Sequence, residues 1–359
     1  MTLTQLHPKE LSALTQLAST CQRVLVTGAG GFLGKAICQR LRTAGIEVVG
    51  LARGDYPALT QMGVKMIAAD IADAQAVNEA VKGCDLVFHV ASKAGVWGDK
   101  QSFYRPNVDG CNNIIHACIA NNVAKLVYTS TPSVTFAGSD EPGIDESQPY
   151  AAHYLNYYGE SKAIAEQMVV AANGKVLPNG ARFATVSLRP HLIWGPNDPH
   201  LVPRVIERAK AQRLKLLGSE DKLVDTIYVD NAAYGHILAG LALFNDPASC
   251  AGQCYFLSND EPITMAAMLN NILACAQLPP VTKRVPAGIA YGVGALLEAL
   301  YLVLGKQQEP IMTRFVAKQL STSHYFDISA AKRDLGYRPL ISIDEGMVLL
   351  SSWLQEQGV

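Results

Sequence analysis

The stretch Val24-Leu25-Val26-Thr27-Gly28-Ala29-Gly30-Gly31-Phe32-Leu33-Gly34 decides how the whole chain is read. It starts as an apolar β run, breaks into glycines and then opens a helical pattern. Glycines spaced Gly28-x-x-Gly31-x-x-Gly34 let the backbone turn sharply, approach a diphosphate closely and pack the following helix on the strand. The free N–H groups where that helix starts, at Gly31, Phe32, Leu33 and Gly34, meet the diphosphate, helped by the positive end of the helix dipole. A glycine triplet by itself is a turn. Here a strand precedes it, a helix over Leu33–Thr43 follows, and a second apolar run comes at Glu47–Leu51, so the spacing predicts dinucleotide binding.

From Arg23 to about Arg189, short apolar runs alternate with helical periodicity, the pattern of an α/β, doubly wound parallel sheet with helices on both faces. Strands are predicted at Val24–Thr27, Val48–Ala52, Val64–Ala69, Leu86–Val90, Lys125–Ser130 and Ala184–Leu188. Helices are predicted at Leu33–Thr43, Ala74–Lys82, Phe103–Asn122 and Tyr154–Ala171. Pro132, Pro142 and Pro149 mark an irregular link after the fifth strand, a place for a site. After Pro190 the rhythm becomes that of a smaller α+β lobe, with Val224–Val229 and Tyr255–Leu257 returning to the edge of the sheet. The expected division is an N-terminal extension over 1–22, read as a short amphipathic cap, and a Rossmann domain over 23–190 to which 224–257 returns. An interleaved substrate lobe is formed by 191–223 and 258–359.

With 359 residues, 49% of them apolar, the chain can bury a full core. A net charge of −1, from 30 Lys and Arg against 31 Asp and Glu, supplies no basic stripe for a nucleic-acid partner. The eight cysteines never form C-x-x-C, and they read as small buried hydrophobes of a reducing cytosol, so no metal site is expected. The start of the chain lacks the basic and apolar order of a secretory signal.

In an NAD enzyme of this architecture the second strand ends in Asp or Glu, which takes the ribose hydroxyls. Here that position is Ala52, followed by Arg53, whose guanidinium matches a 2′-phosphate in charge and in its planar donor fork. NADPH is therefore favoured over NADH. Asp70-Ile71, at the end of the third strand, places a carboxylate beside the adenine edge, although Asp70 equally suits a cap for the helix near Ala74.

Tyr158 and Lys162 stand at i and i+4, on one helix face. A phenol with an ordinary pKa near ~10 is a poor acid–base group at neutral pH, and a neighbouring ammonium favours its phenolate. Among Tyr150, Tyr154, Tyr157 and Tyr158, only Tyr158 has Lys four residues on. A third group should polarise a carbonyl through a hydroxyl; Thr131 is chosen over Ser130 and Ser133, though hydroxyls at strand ends also act as turn caps.

Thr27-Gly-x-x-Gly-x-x-Gly34 with Tyr158-x-x-x-Lys162 resembles the extended short-chain dehydrogenase/reductases over essentially residues 23–350. Tyr128–Val134, Leu188–Pro196 and Val224–Asn231 resemble their 3β-hydroxysteroid dehydrogenase branch. The resemblance implies that Thr131 holds a substrate carbonyl and that residues around Arg189-Pro190-His191 approach the nicotinamide. It also implies a nucleotide contact at Ala91 and a homodimer paired through two helices, here matching Phe103–Asn122 and Tyr154–Ala171. Ala91–Gly98, Thr129–Ser133, Leu201–Arg204 and Thr313–Phe315 are similar to the bacterial reductases of head-to-head olefin biosynthesis. These use NADPH to reduce a 2-alkyl-3-keto acid to the 2-alkyl-3-hydroxy acid, ahead of a β-lactone-forming ligase and a downstream hydrolase with which a complex is expected.

The apolar stretch Pro286–Gly305, interrupted only by Glu298, suits a long hydrophobic substrate. It is read as a pocket wall or a helix dipping into a membrane surface, with Glu298 on its other face, in a cytoplasmic protein at most peripheral to the membrane. Arg189, Arg204, His191 and Lys93 are candidate partners for a carboxylate. The alternatives are a hydroxysteroid or sterol dehydrogenase, then a nucleotide-sugar epimerase, and last a non-catalytic dinucleotide-sensing scaffold.

Overall fold

The computed structural model describes residues 6–359, so residues 1–5 of the expected extension lie outside the described residues. In chain order the first half comprises α1 (Pro8–Thr20), β1 (Arg23–Thr27), α2 (Phe32–Thr43), β2 (Glu47–Ala52), α3 (Pro57–Gln61), β3 (Lys65–Ala68), α4 (Ala74–Val81), β4 (Leu86–His89), α5 (Lys100–Tyr104), α6 (Gly110–Ala120), β5 (Lys125–Thr129), β6 (Glu141–Ile144), α7 (Tyr157–Ala172), β7 (Ala184–Pro190) and β8 (Ile193–Trp194). The second half comprises α8 (Leu201–Lys210), β9 (Leu216–Leu217), β10 (Leu223–Val224), β11 (Ile227–Tyr228), α9 (Val229–Asn245), α10 (Pro247–Cys250), β12 (Cys254–Leu257), β13 (Ile263–Thr264), α11 (Met265–Cys275), β14 (Arg284–Val285), α12 (Ala287–Val303), α13 (Arg314–Gln319), β15 (His324–Phe326), α14 (Ser329–Asp334) and α15 (Ile343–Glu356).

Seven strands in the order β12-β7-β5-β4-β1-β2-β3 make a wholly parallel central sheet. Strands alternate their side chains between faces, so Val24 and Val26 join one core with Phe88, while Leu25 joins a second core with Val49 and Val87. The chain leaves β1 toward β2 and β3 on one side and returns at β4 on the other. A crevice therefore opens at the carboxyl ends of β1 and β4, the place where such sheets bind ligands.

The N-terminal helix is built into this core. Leu14 and Leu17 are fully buried, and the buried Arg40 of α2 joins Glu10 of α1 at 2.5 Å and Asp230 of α9 at 2.8 Å.

Three local expectations are corrected. Helix Phe103–Asn122 is interrupted by a π-helical turn over Arg105–Asp109, since Pro106 has no N–H for the regular ladder. Val224–Val229 does not return to the central sheet: β10 pairs with β13 and β15, β11 pairs with β8, and only β12 takes the edge. Within the link after β5, Glu141–Ile144 forms a strand, β6, whose partner β15 lies in the C-terminal part of the chain. Pro142 and Gly143 hide it from any local pattern.

Candidate active site

At the crevice the glycines are required by contact. Gly28 has φ +66°, and a Cβ there would lie 2.9 Å from the backbone of Ala91; at Gly34 it would lie 2.1 Å from the Gly28 carbonyl oxygen. Gly31 caps α2 with extended backbone and no side-chain hydrogen bond, so no cap claims the N–H groups at Phe32, Leu33 and Gly34. This cradle, with the dipole of a 12-residue helix behind it, fits the diphosphate of a dinucleotide. The exposed Arg53 follows β2 directly. Asp70 bonds the N–H of Ala72 at 3.0 Å and pairs with Arg105 at 3.1 Å, and the cap of α4 is Asp73 instead. Ile71 is buried against Gly110, where a Cβ would approach within 2.6 Å. Tyr56 escaped the sequence reading: its ring covers Gly30, where a Cβ would fall 2.0 Å from the Tyr56 Cζ. An aromatic three residues after Arg53 was the only signal.

The candidate reacting groups lie at the carboxyl end of β5 and on α7. Asn156 caps α7 by accepting from the N–H of Gly159 at 2.9 Å, which sets Tyr158 in the first turn of that helix. Thr131 heads a single 3-10 turn over Pro132–Val134, its hydroxyl 3.3 Å from that of Ser133. Burial pushes the Tyr158 phenol up, and the Thr131 hydroxyl draws it back. Lys162 is buried, and burial lowers its ammonium to about 8. Its Nζ donates to the Thr129 carbonyl at 2.6 Å and lies 4.1 Å from the centre of the Tyr128 ring. The expected pull of this ammonium on the phenol is thus corrected: the Lys162 charge is tied to the end of β5, and the phenol answers to burial and Thr131 instead. Asn107 is a second group that the sequence reading missed. Held in the π turn, it binds the backbone of Lys93 at 2.7 and 3.1 Å and the Ser161 hydroxyl at 2.9 Å, joining the loop after β4 to α7. Pro106, beside it, was the available signal.

Of the four candidate carboxylate partners, three are engaged elsewhere. Arg189 makes a buried two-point pair with Glu166 at 2.6 and 3.0 Å, Arg204 pairs with Glu309 at 2.5 Å, and Lys93 donates to Ser102 at 2.6 Å. Pro190 is buried at the end of β7, and His191 beyond it donates from Nδ1 to the Asp225 carbonyl at 2.7 Å. All eight cysteines are free thiols, and no metal-binding cluster occurs among the described residues.

α12 reverses the expected orientation. Glu298 faces inward, only 7% exposed, and accepts from the backbone N–H and the side chain of Arg314 at 2.6 Å each, whereas Leu296 is 69% exposed. Gly294 explains this, because a Cβ there would fall 2.6 Å from the Thr313 backbone; the stripe Ala290, Gly294 and Glu298 is what allows close packing. No helix among the described residues is long and apolar enough to cross a membrane.

The sequence model of the 3-beta hydroxysteroid dehydrogenase/isomerase family matches residues 25–278. This chain belongs to that family. It is accordingly an oxidoreductase of the NAD(P)-dependent kind, and a nicotinamide dinucleotide is the family's cofactor class. Among its relatives, the 2-alkyl-3-oxoalkanoate reductase of Shewanella oneidensis is 62% identical over 97% of this chain and 90% of that protein. The sterol-4-alpha-carboxylate 3-dehydrogenase (decarboxylating) of Mus musculus is 34% identical over 93% of this chain and 91% of its own. The fold is shared with the Thermus thermophilus UDP-glucose 4-epimerase solved with NAD, at TM-score 0.69 and 24% identity, covering 93% of this chain and 99% of that one.

Proposed function

We propose that this family member reduces a 2-alkyl-3-oxoalkanoate to the 2-alkyl-3-hydroxyalkanoate with NADPH, as a step of long-chain olefin biosynthesis. One observation carries the reading: α7 brings Tyr158 and the buried Lys162, and the end of β5 brings Thr131, to a sheet with a glycine-lined crevice, in a chain 62% identical to a reductase of that name. When bound, NADPH supplies the hydride. Gly28, Gly31 and Gly34 with the start of α2 hold the diphosphate, Arg53 the 2′-phosphate, Asp70 and Ile71 the adenine edge, and Ala91, Pro190 and His191 border the nicotinamide end. Thr131 orients the carbonyl oxygen of the substrate, and Tyr158 gives that oxygen its proton. Lys162 serves the ribose side of the site. Our proposed division of the molecule is the one given above, except that within 224–257 it is β12 that takes the sheet edge.

We also propose a homodimer and a hand-over to a β-lactone-forming ligase and a hydrolase, because the product is a free hydroxy acid that a ligase must activate. The outward face of α12, with Leu296 and Leu300 exposed and Lys283 and Lys306 exposed at its two ends, suits peripheral contact with an anionic lipid surface. The deciding experiment is NADPH consumption with a long-chain 2-alkyl-3-oxo acid against a 3-keto steroid. Turnover of the steroid alone would replace the reading by the sterol one, which the 34% identity to the mouse enzyme favours next.

A further inference from the structure

Gly30 stands between Gly28 and Gly31, outside the three-residue spacing that a diphosphate requires, and its φ lies outside the left-handed region. Neither the turn nor the helix after it therefore asks for glycine at this position. The reason lies in another segment. A Cβ on Gly30 would fall 2.0 Å from Cζ of Tyr56 and 2.3 Å from both of its Cε atoms, so the hydroxyl-bearing end of that ring occupies the place of a side chain. The same end lies against Gly54, where a Cβ would stand 3.3 Å from Cζ, Cε2 and the phenol oxygen. The phenol tip thus sits between the glycine loop and the residue that follows Arg53.

The backbone fixes the ring in this place. The Tyr56 carbonyl accepts from the N–H groups of Leu59 at 2.9 Å and Thr60 at 3.3 Å, and Leu59 is buried in the core that Val48 of β2 also joins. The ring itself is half-buried against that core, while its hydroxyl makes no hydrogen bond among the described residues. On the same loop Arg53 and Asp55 are both exposed, one positive and one negative side chain. Their charges cancel at a distance, so selection of an added phosphate falls to directional donors close to it.

Position narrows what the hydroxyl meets. With a diphosphate on the N–H groups at the start of α2, the adenosine ribose of a dinucleotide lies at the carboxyl end of β2, between the glycine loop and the residues after Ala52. The ribose of NADH presents hydroxyls that seek an acceptor there, and Ala52 supplies none. NADPH presents phosphate oxygens, which accept, and a phenol donates. We propose that Tyr56 is a specificity-determining residue whose hydroxyl joins the Arg53 guanidinium in holding the 2′-phosphate, and that position 30 is glycine in order to admit this ring. The inference rests on the NADPH reading above and deepens it: Arg53 supplies charge, and Tyr56, fixed through Leu59, supplies direction.

The test titrates the full-length protein calorimetrically with NADPH, NADH, adenosine 2′,5′-bisphosphate and AMP, so that binding is read without turnover. Wild type should bind each 2′-phosphorylated compound more tightly than its counterpart. Tyr56→Phe keeps the ring and removes only its donor. It should weaken NADPH and the bisphosphate about tenfold and leave NADH and AMP within about twofold. Gly30→Ala, whose methyl displaces the ring, should lower the ratio of NADPH to NADH affinity in the same direction. Thermal melts confirm that both variants are folded; where Gly30→Ala is not, Tyr56→Phe decides alone. A wild-type preference for NADPH that Tyr56→Phe leaves unchanged, or an equal loss for all four compounds, overturns the role of Tyr56 and leaves the NADPH reading standing. A wild-type protein that shows no preference for the 2′-phosphorylated compounds overturns the NADPH reading, and the role of Tyr56 with it.

Discussion

The ammonium of Lys162 donates a 2.6 Å hydrogen bond to the backbone carbonyl of Thr129 at the end of β5. This places the charge inside the protein, with its pKa lowered to about 8 by burial. As pH rises through 8 the proton leaves, so any contribution of this charge to nucleotide binding is present below that pH and lost above it. NADPH affinity, followed by fluorescence titration, should fall by up to tenfold per unit between pH 8 and 10. In Lys162→Met it should be weak and flat; a wild-type affinity unchanged over that interval would mean that the charge does not hold the cofactor.

Tyr158 is half-buried in the first turn of α7. Replacing it by Phe removes one oxygen and nothing of the packing. The variant should lose ~10²-fold or more in kcat while its Kd for NADPH stays within about threefold. Full activity would remove Tyr158 from the mechanism.

Arg53 is exposed directly after β2 and makes no ion pair among the described residues. If it meets the 2′-phosphate, Arg53→Ala should weaken NADPH binding by about 2–3 kcal/mol and leave NADH within a factor of two. Calorimetry with both nucleotides separates this from a general loss, which would make the residue structural.

The buried Arg189–Glu166 pair, with Tyr150 also donating to Glu166 at 2.9 Å, predicts a stability effect rather than a substrate effect. Glu166→Gln leaves a guanidinium without its counter-charge and should cost about 3–5 kcal/mol in urea unfolding. A stable Glu166→Gln protein with a raised KM would return Arg189 to the list of substrate ligands.

On α12, Leu296 is exposed, so Leu296→Asp should leave the melting temperature and turnover of a short-chain substrate unchanged. Co-sedimentation with vesicles containing anionic lipid should drop several-fold in that variant. Equal sedimentation of both proteins would discard the lipid-surface reading of this helix.

The amino-acid sequence by itself determined the β1–glycine–α2 unit, the parallel sheet around it and the helix that carries Tyr158 and Lys162. Each depends on residues within a few positions of one another, where period 2, period 3.6 and glycine chemistry act locally. Tertiary structure alone decided where the charges go. Arg189 looked like a substrate ligand until Glu166, 23 residues away, was folded against it, and Glu298 looked solvent-facing until Gly294 let α12 settle on Thr313 and Arg314. The β6–β15 pair is the clearest case. Glu141 and His324 meet only because β6 pairs with a strand near the other end of the chain, and no local pattern encodes a contact between residues so far apart. Burial, which sets whether those groups carry charge, is a property of the assembled lobe and of no single segment.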